Sequence, residues 1–85
     1  MKIIENKKYR VLIECHHFTS QNELEEKGFV LFSGEEYVVK FVYEKNGSVF
    51  VNLGDFTNQY GNTVSRTINL ETFNSCFEEG EVTNI

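Results

Sequence analysis

Lys45-Asn46-Gly47 is the local signal that most constrains this fold. Asn and Gly both enter the left-handed region that a tight hairpin turn needs, and strand-forming residues run from Tyr37 to Glu44 before it and from Ser48 onward after it. An antiparallel hairpin is therefore expected, with a register set by the length of its loop, because a slip of one residue exchanges the faces. A two-residue Asn46-Gly47 loop sets Tyr43 opposite Phe50 and Phe41 opposite Asn52, mixing polar and apolar residues on both faces. A three-residue loop with Gly47 in a left-handed bulge pairs Glu44 with Ser48, Tyr43 with Val49, Phe41 with Val51 and Val39 with Leu53. It gathers Tyr37, Val39, Phe41, Tyr43, Val49, Val51 and Leu53 on one face, so it is the expected register. Val38, Val42 and Phe50 then interrupt an opposite face of Lys40, Glu44, Ser48 and Asn52.

The rest of the chain supplies partners for this hairpin. Lys8 to Cys15 alternates Tyr9, Val11, Ile13 and Cys15 with Lys8, Arg10, Leu12 and Glu14, a half-buried first strand. Ser20-Gln21-Asn22-Glu23 is a capping box that opens a two-turn helix, with Gly28 as its left-handed stop. Phe29 to Phe32 is an apolar run, and Ser33-Gly34-Glu35 turns it toward the strand beginning at Tyr37, which predicts another hairpin. After an amide-rich loop from Thr57 to Thr63, Val64 to Asn69 alternates as a fifth strand. Asn69 then caps a closing helix with Leu70, Phe73 and Phe77 on one stripe and Gly80 at its end. These elements predict an α+β fold: a five-stranded, mostly antiparallel meander or a small SH3-like or OB-like partly closed barrel, with a short helix after strand 1 and a C-terminal helix. No repeat or linker divides the chain, so residues 1–85 are expected to be a single small domain, ordered from about 8 to 77 with loose ends.

Charge narrows the partners. Thirteen acidic against eight basic residues give a net charge of −5, which disfavours nucleic acid and anionic membrane surfaces. The opening MKIIENKKYR lacks the apolar run of a secretory leader, and no later stretch is long and apolar enough to span a bilayer, so a cytoplasmic location is expected. In that compartment Cys15 and Cys76 are expected to be reduced thiols, and Asn46-Gly47-Ser48 reads as a turn, not a glycosylation site. The absence of Pro and Trp, with abundant Asn, Lys, Ile, Phe and Tyr, fits an A/T-rich genome such as that of a low-GC bacterium or its phages.

Few residues suggest chemistry. Cys15-His16-His17 contains zinc-ligand types, but adjacent strand residues point to opposite faces and neither C-x2-C nor H-x3-H spacing is present. Cys76 with His16 or His17 is a formal thiol dyad, yet Cys76 lies between Phe73 and Phe77, where a small apolar filler is the ordinary use. The glycines match neither dinucleotide nor phosphate-loop spacing. The acidic groups Glu23/Glu25/Glu26, Glu35/Glu36 and Glu78/Glu79/Glu81 read as solvated surface, or as one patch that imitates a phosphate backbone. Lys2, Lys7, Lys8 and Arg10 surround Tyr9 as the only basic cluster.

No metal, cofactor or catalytic set is therefore expected, and the chain reads as a non-enzymatic, acidic, protein-binding module. A phage or mobile-element accessory or inhibitor protein that occludes a host protein such as a nuclease, toxin or defence protein fits this reading. Its expected contact residues are Val42, Phe50, Asn58, Gln59, Tyr60, Glu35 and Glu36. The partner is a host or self protein, with homo-oligomers through edge strands as one form. The alternative is a small barrel that binds single-stranded nucleic acid through Lys7, Lys8, Arg10 and exposed aromatics.

Overall fold

Asn46 and Gly47 both carry positive φ, 53° and 81°, in the computed structural model, which describes residues 3–83 and side chains as far as Phe77. Positive φ at both central positions is the primed turn whose twist matches paired strands, and it closes a loop of two residues, not three. Lys45 thus pairs with Ser48, Glu44 with Val49, Tyr43 with Phe50, Val42 with Val51 and Phe41 with Asn52. The expected register is overturned. Val42 turns inward onto the core, while Phe41 and Tyr43 turn outward beside Phe50 and are 46% and 38% exposed. The outer face covers part of itself with a ring ladder: Phe41 to Tyr43 is 5.7 Å and Tyr43 to Phe50 is 5.5 Å between centroids.

The described elements run β1 (Lys8–Val11), β2 (Cys15–His17), α1 (Gln21–Glu26), β3 (Phe29–Leu31), β4 (Glu36–Val38), β5 (Phe41–Lys45), β6 (Ser48–Thr57), β7 (Thr63–Asn69), α2 (Leu70–Cys76) and β8 (Phe77–Thr83). They form antiparallel sheets ordered β4-β1-β8, β2-β3 and β5-β6-β7. The result is a small β-rich domain with a C-terminal helix, neither a five-stranded meander nor a closed barrel. Two expected strands are each divided between sheets. The first breaks at Leu12, Ile13 and Glu14, where Leu12 and Ile13 are 54% and 58% exposed, so α1 follows the second strand and not the first. The strand from Tyr37 breaks at Val39, which is fully buried, and Lys40. β3 consequently pairs with β2 and β4 with β1, and the hairpin expected across Ser33-Gly34-Glu35 does not form.

Side-chain caps set the helix starts. Ser20 Oγ accepts from Glu23 N at 3.1 Å while Glu23 Oε1 accepts from Thr19 N at 2.9 Å. Asn69 Oδ1 accepts from Thr72 N at 2.7 Å. The helix ends differ from expectation. Gly28 is not left-handed; it is glycine because a Cβ there would lie 2.6 Å from Leu24 Cα and 2.8 Å from Phe18 Cβ. α2 stops at Cys76, and Phe77 starts β8, so Gly80 lies within a strand.

Tyr9, Val11, Leu31, Val39, Val51, Leu53, Val64, Ile68, Phe73 and Phe77 form one core shared by the sheets. Phe73 is its joint: the ring is fully buried, edge-on to Tyr9 at 5.3 Å and stacked on Phe77 at 4.4 Å. Asn52 is the buried polar residue of the outer face. Its amide donates to Ser65 Oγ and Thr67 Oγ1, and its Oδ1 accepts from Gly54 N at 2.9 Å, so no polar atom is stranded. On the free edge of β5, Glu5 Oε2 accepts from Val42 N at 2.8 Å, a side chain occupying a donor that another strand would need.

Cys15 and Cys76 form a disulfide, which overturns the expectation of reduced thiols. Leu12 N and Ile13 N both donate to Cys76 O, at 2.6 and 3.1 Å, and this docks the break after β1 on the end of α2. The Cα atoms of the two cysteines are then 6.7 Å apart despite a separation of 61 residues.

Three measurements check this packing. In urea denaturation Phe73→Ala should cost about 3–5 kcal/mol and leave a domain of this size largely unfolded, whereas Phe41→Ala should cost about 1 kcal/mol or less. Reducing the bridge should remove about 4 kcal/mol by the loop-entropy relation, read as a lower urea midpoint with reductant present. Unreduced, denatured protein should show no free thiol.

Candidate functional site

The Thr57-to-Thr63 loop is held from inside by its amides. Asn58 Nδ2 and Asn62 Nδ2 both donate to Glu25 O, at 2.7 and 2.8 Å, tying the loop to the end of α1. Asn58 Oδ1 accepts from Tyr60 N and Asn62 N, at 2.9 and 3.0 Å. This arrangement leaves Gln59 and Tyr60 exposed at the rim of a groove of about 450 Å³. Leu24 of α1, Phe29 and Val30 of β3, Phe32, Tyr37 of β4 and Phe56 of β6 supply apolar surface to it. At the rim Phe32 is 51% and Tyr60 47% exposed.

One cation enters the groove. Arg66 lies on the inward side of β7, in step with Val64 and Ile68, and its Cζ is 4.3 Å from the centroid of Phe56 and 5.2 Å from that of Tyr37. Two ring faces against a half-buried guanidinium hold it by cation–π attraction. Among the described residues no carboxylate forms an ion pair with it. Tyr37 Oη donates to Glu35 Oε1 at 2.8 Å. Burial, followed by this bond to Glu35 and the carboxylate's charge, pushes the phenol pKa up to about 12, with Arg66 pulling weakly the other way.

Four of the expected contact residues, Glu35, Asn58, Gln59 and Tyr60, line this groove. The other three lie elsewhere. Glu36 pairs with Arg10 at 3.2 Å, Val42 packs on the core, and Phe50 belongs to the aromatic ladder on the outer face. Residues that sequence reasoning missed are Tyr37, Phe56 and Arg66. Arg66 carried a signal, since it is a charge at the inward parity of an alternating strand.

The basic cluster and the Cys/His triplet meet different surroundings. Arg10 is engaged by Glu36, and Lys7, Lys8 and Arg10 lie on or beside the central strand of the β4-β1-β8 sheet. Lys2 and the side chains of Glu78, Glu79 and Glu81 lie outside the described residues. Cys15 and Cys76 bond each other, which removes both the thiolate ligand and the thiol nucleophile. Among the described residues no group of three or more His, Cys, Asp or Glu is placed to hold a metal ion. His16 Nε2 is 2.6 Å from Glu14 Oε2. His17 stacks on Phe29 at 4.6 Å, with its buried Nε2 lacking a hydrogen-bond partner. Burial, and then the charge of His16, lower its pKa and favour the neutral ring.

No family model matches the chain, and no curated protein or solved structure matches it either. Among the described residues no helix is long and apolar enough to cross a membrane.

The Tyr37 shift has a measurable sign. Its phenol holds its proton more tightly in the folded chain than at the unfolded value of 10, so this contribution to stability is complete below pH 10 and is lost as the pH rises toward 12. Alkaline titration of tyrosinate absorbance should show a component with its midpoint near pH 12, and Tyr37→Phe should remove that component.

Proposed function

We propose that the chain is a non-enzymatic protein-binding module and that the groove beside Tyr60 is where its partner docks. The supporting observation is the combination of an apolar, aromatic lining with a wall already fixed by the Asn58 and Asn62 bonds to Glu25 O. A wall ordered before binding lowers the entropy cost of association, and tyrosine and phenylalanine at a rim contribute strongly once desolvated. The partner is a host or self protein. An accessory or inhibitor role for a phage or mobile element, exerted by covering the surface of a nuclease, toxin or defence protein, is the form of the proposal that the acidic, A/T-biased composition favours. A cytoplasmic site of action is the part of this reading that the Cys15–Cys76 bridge weighs against, because glutathione and thioredoxin keep cytosolic thiols reduced.

Capture from host lysate with the tagged, unreduced protein tests the proposal. A stoichiometric partner should be retained by the wild type and by Phe41→Ala/Tyr43→Ala on the outer face, and should be lost by about tenfold or more with Phe32→Ala/Tyr60→Ala. Capture of no partner, without self-association, rejects the module reading. Loss with the outer-face pair alone moves the docking surface to the Phe41–Tyr43–Phe50 ladder.

A further inference from the structure

Arg66 gives the groove a chemical preference. Its guanidinium is half-buried against two rings, and no described carboxylate pairs with it. A cation withdrawn from water in this way has donors to offer an anion, and guanidinium matches a carboxylate with two parallel hydrogen bonds. We infer that the groove receives a segment of a partner protein through one acidic side chain flanked by apolar residues, the carboxylate bonding Arg66 and the flanks covering Phe32, Phe56 and Tyr60.

Three observations favour a side chain within a segment over a chain terminus or a second acidic group. Recognition of a terminal carboxylate commonly uses a nest of backbone N–H groups. In the adjoining loop the N–H groups of Asn58, Tyr60, Gly61 and Asn62 are already donated internally. The exposed rings of Phe32 and Tyr60 at the rim leave the groove accessible for a chain to pass. Glu35, bonded to Tyr37 on the lining, opposes a second carboxylate nearby.

This inference rests on the docking reading above, and its test separates the two. Two pools of short fluorescein-labelled peptides, with Leu, Ile, Val or Phe flanking a fixed central Glu in one and Gln in the other, are titrated with the intact protein by fluorescence anisotropy. The Glu pool should bind about tenfold or more tightly than the Gln pool, a margin that narrows with added salt. Arg66→Gln should bring the pools to equal affinity, and Arg66→Lys should keep part of the difference. Equal affinities for the wild type overturn the inference while leaving groove docking intact. Binding of neither pool overturns it as well, and the Phe32/Tyr60 capture experiment then decides the docking reading independently. Displacement of the Glu pool by benzoate at comparable affinity assigns the site to a small carboxylate and overturns the protein segment. Should near-UV circular dichroism show Arg66→Gln unfolded, the wild-type comparison of pools decides alone.

Discussion

Phe73 holds together a structure whose strands are dispersed. Eighty-five residues divided among three small sheets leave each sheet too small to be stable alone, so the sheets depend on a shared core. The Phe73 ring meets that need by packing on Tyr9 and Phe77 of the β4-β1-β8 sheet while the helix that carries it lies against β6 and β7 of another. Its helix is set by the Asn69 cap at one end and carries Cys76 at the other, where the bridge reaches β2. The cap orients the helix, the helix places the ring, and the last residue of the helix anchors the smallest sheet.

Local features were legible where a few neighbouring residues decide them. Both helix caps and the Asn46-Gly47 turn follow from hydrogen-bonding and φ preferences of the residues themselves. The hairpin register was not, because both candidate pairings bury Val51 and Leu53, and they differ in whether Val42 or the rings of Phe41 and Tyr43 face inward. Collecting every aromatic on one face is a reasonable rule, but it ignores that rings can shield one another on the outside. The break at Leu12 and Ile13 was hidden for a similar reason: two apolar residues continue the strand pattern, while their amides are taken by Cys76 O from a distant helix.

The site divides along the same line. The loop from Asn58 to Tyr60 was visible by composition, since amides and an aromatic between strands mark an adhesive turn. Its wall was visible only in three dimensions, because the acceptor of Asn58 and Asn62 is the carbonyl of Glu25, more than thirty residues earlier. Tyr37 and Phe56 look in the sequence like ordinary inward-facing strand residues. They become a cradle for a cation only because β4 and β6, from different sheets, present them to Arg66 of β7.

The bridge between Cys15 and Cys76 also draws a boundary within the molecule. Every residue lining the groove, from Leu24 to Arg66, lies inside the covalent loop, whereas β1 and β8 lie outside it. Opening of the β1–β8 pair is a local event that leaves the chain crosslinked around the groove. The insulation is incomplete on the β1 side, since Tyr37 lies on β4, whose hydrogen-bonded neighbour is β1, and Val11 N of β1 donates to Glu35 O at 2.8 Å. Opening of β1 therefore reaches the groove at Glu35 and, through the Tyr9–Tyr37 register, at one of the two rings that hold Arg66.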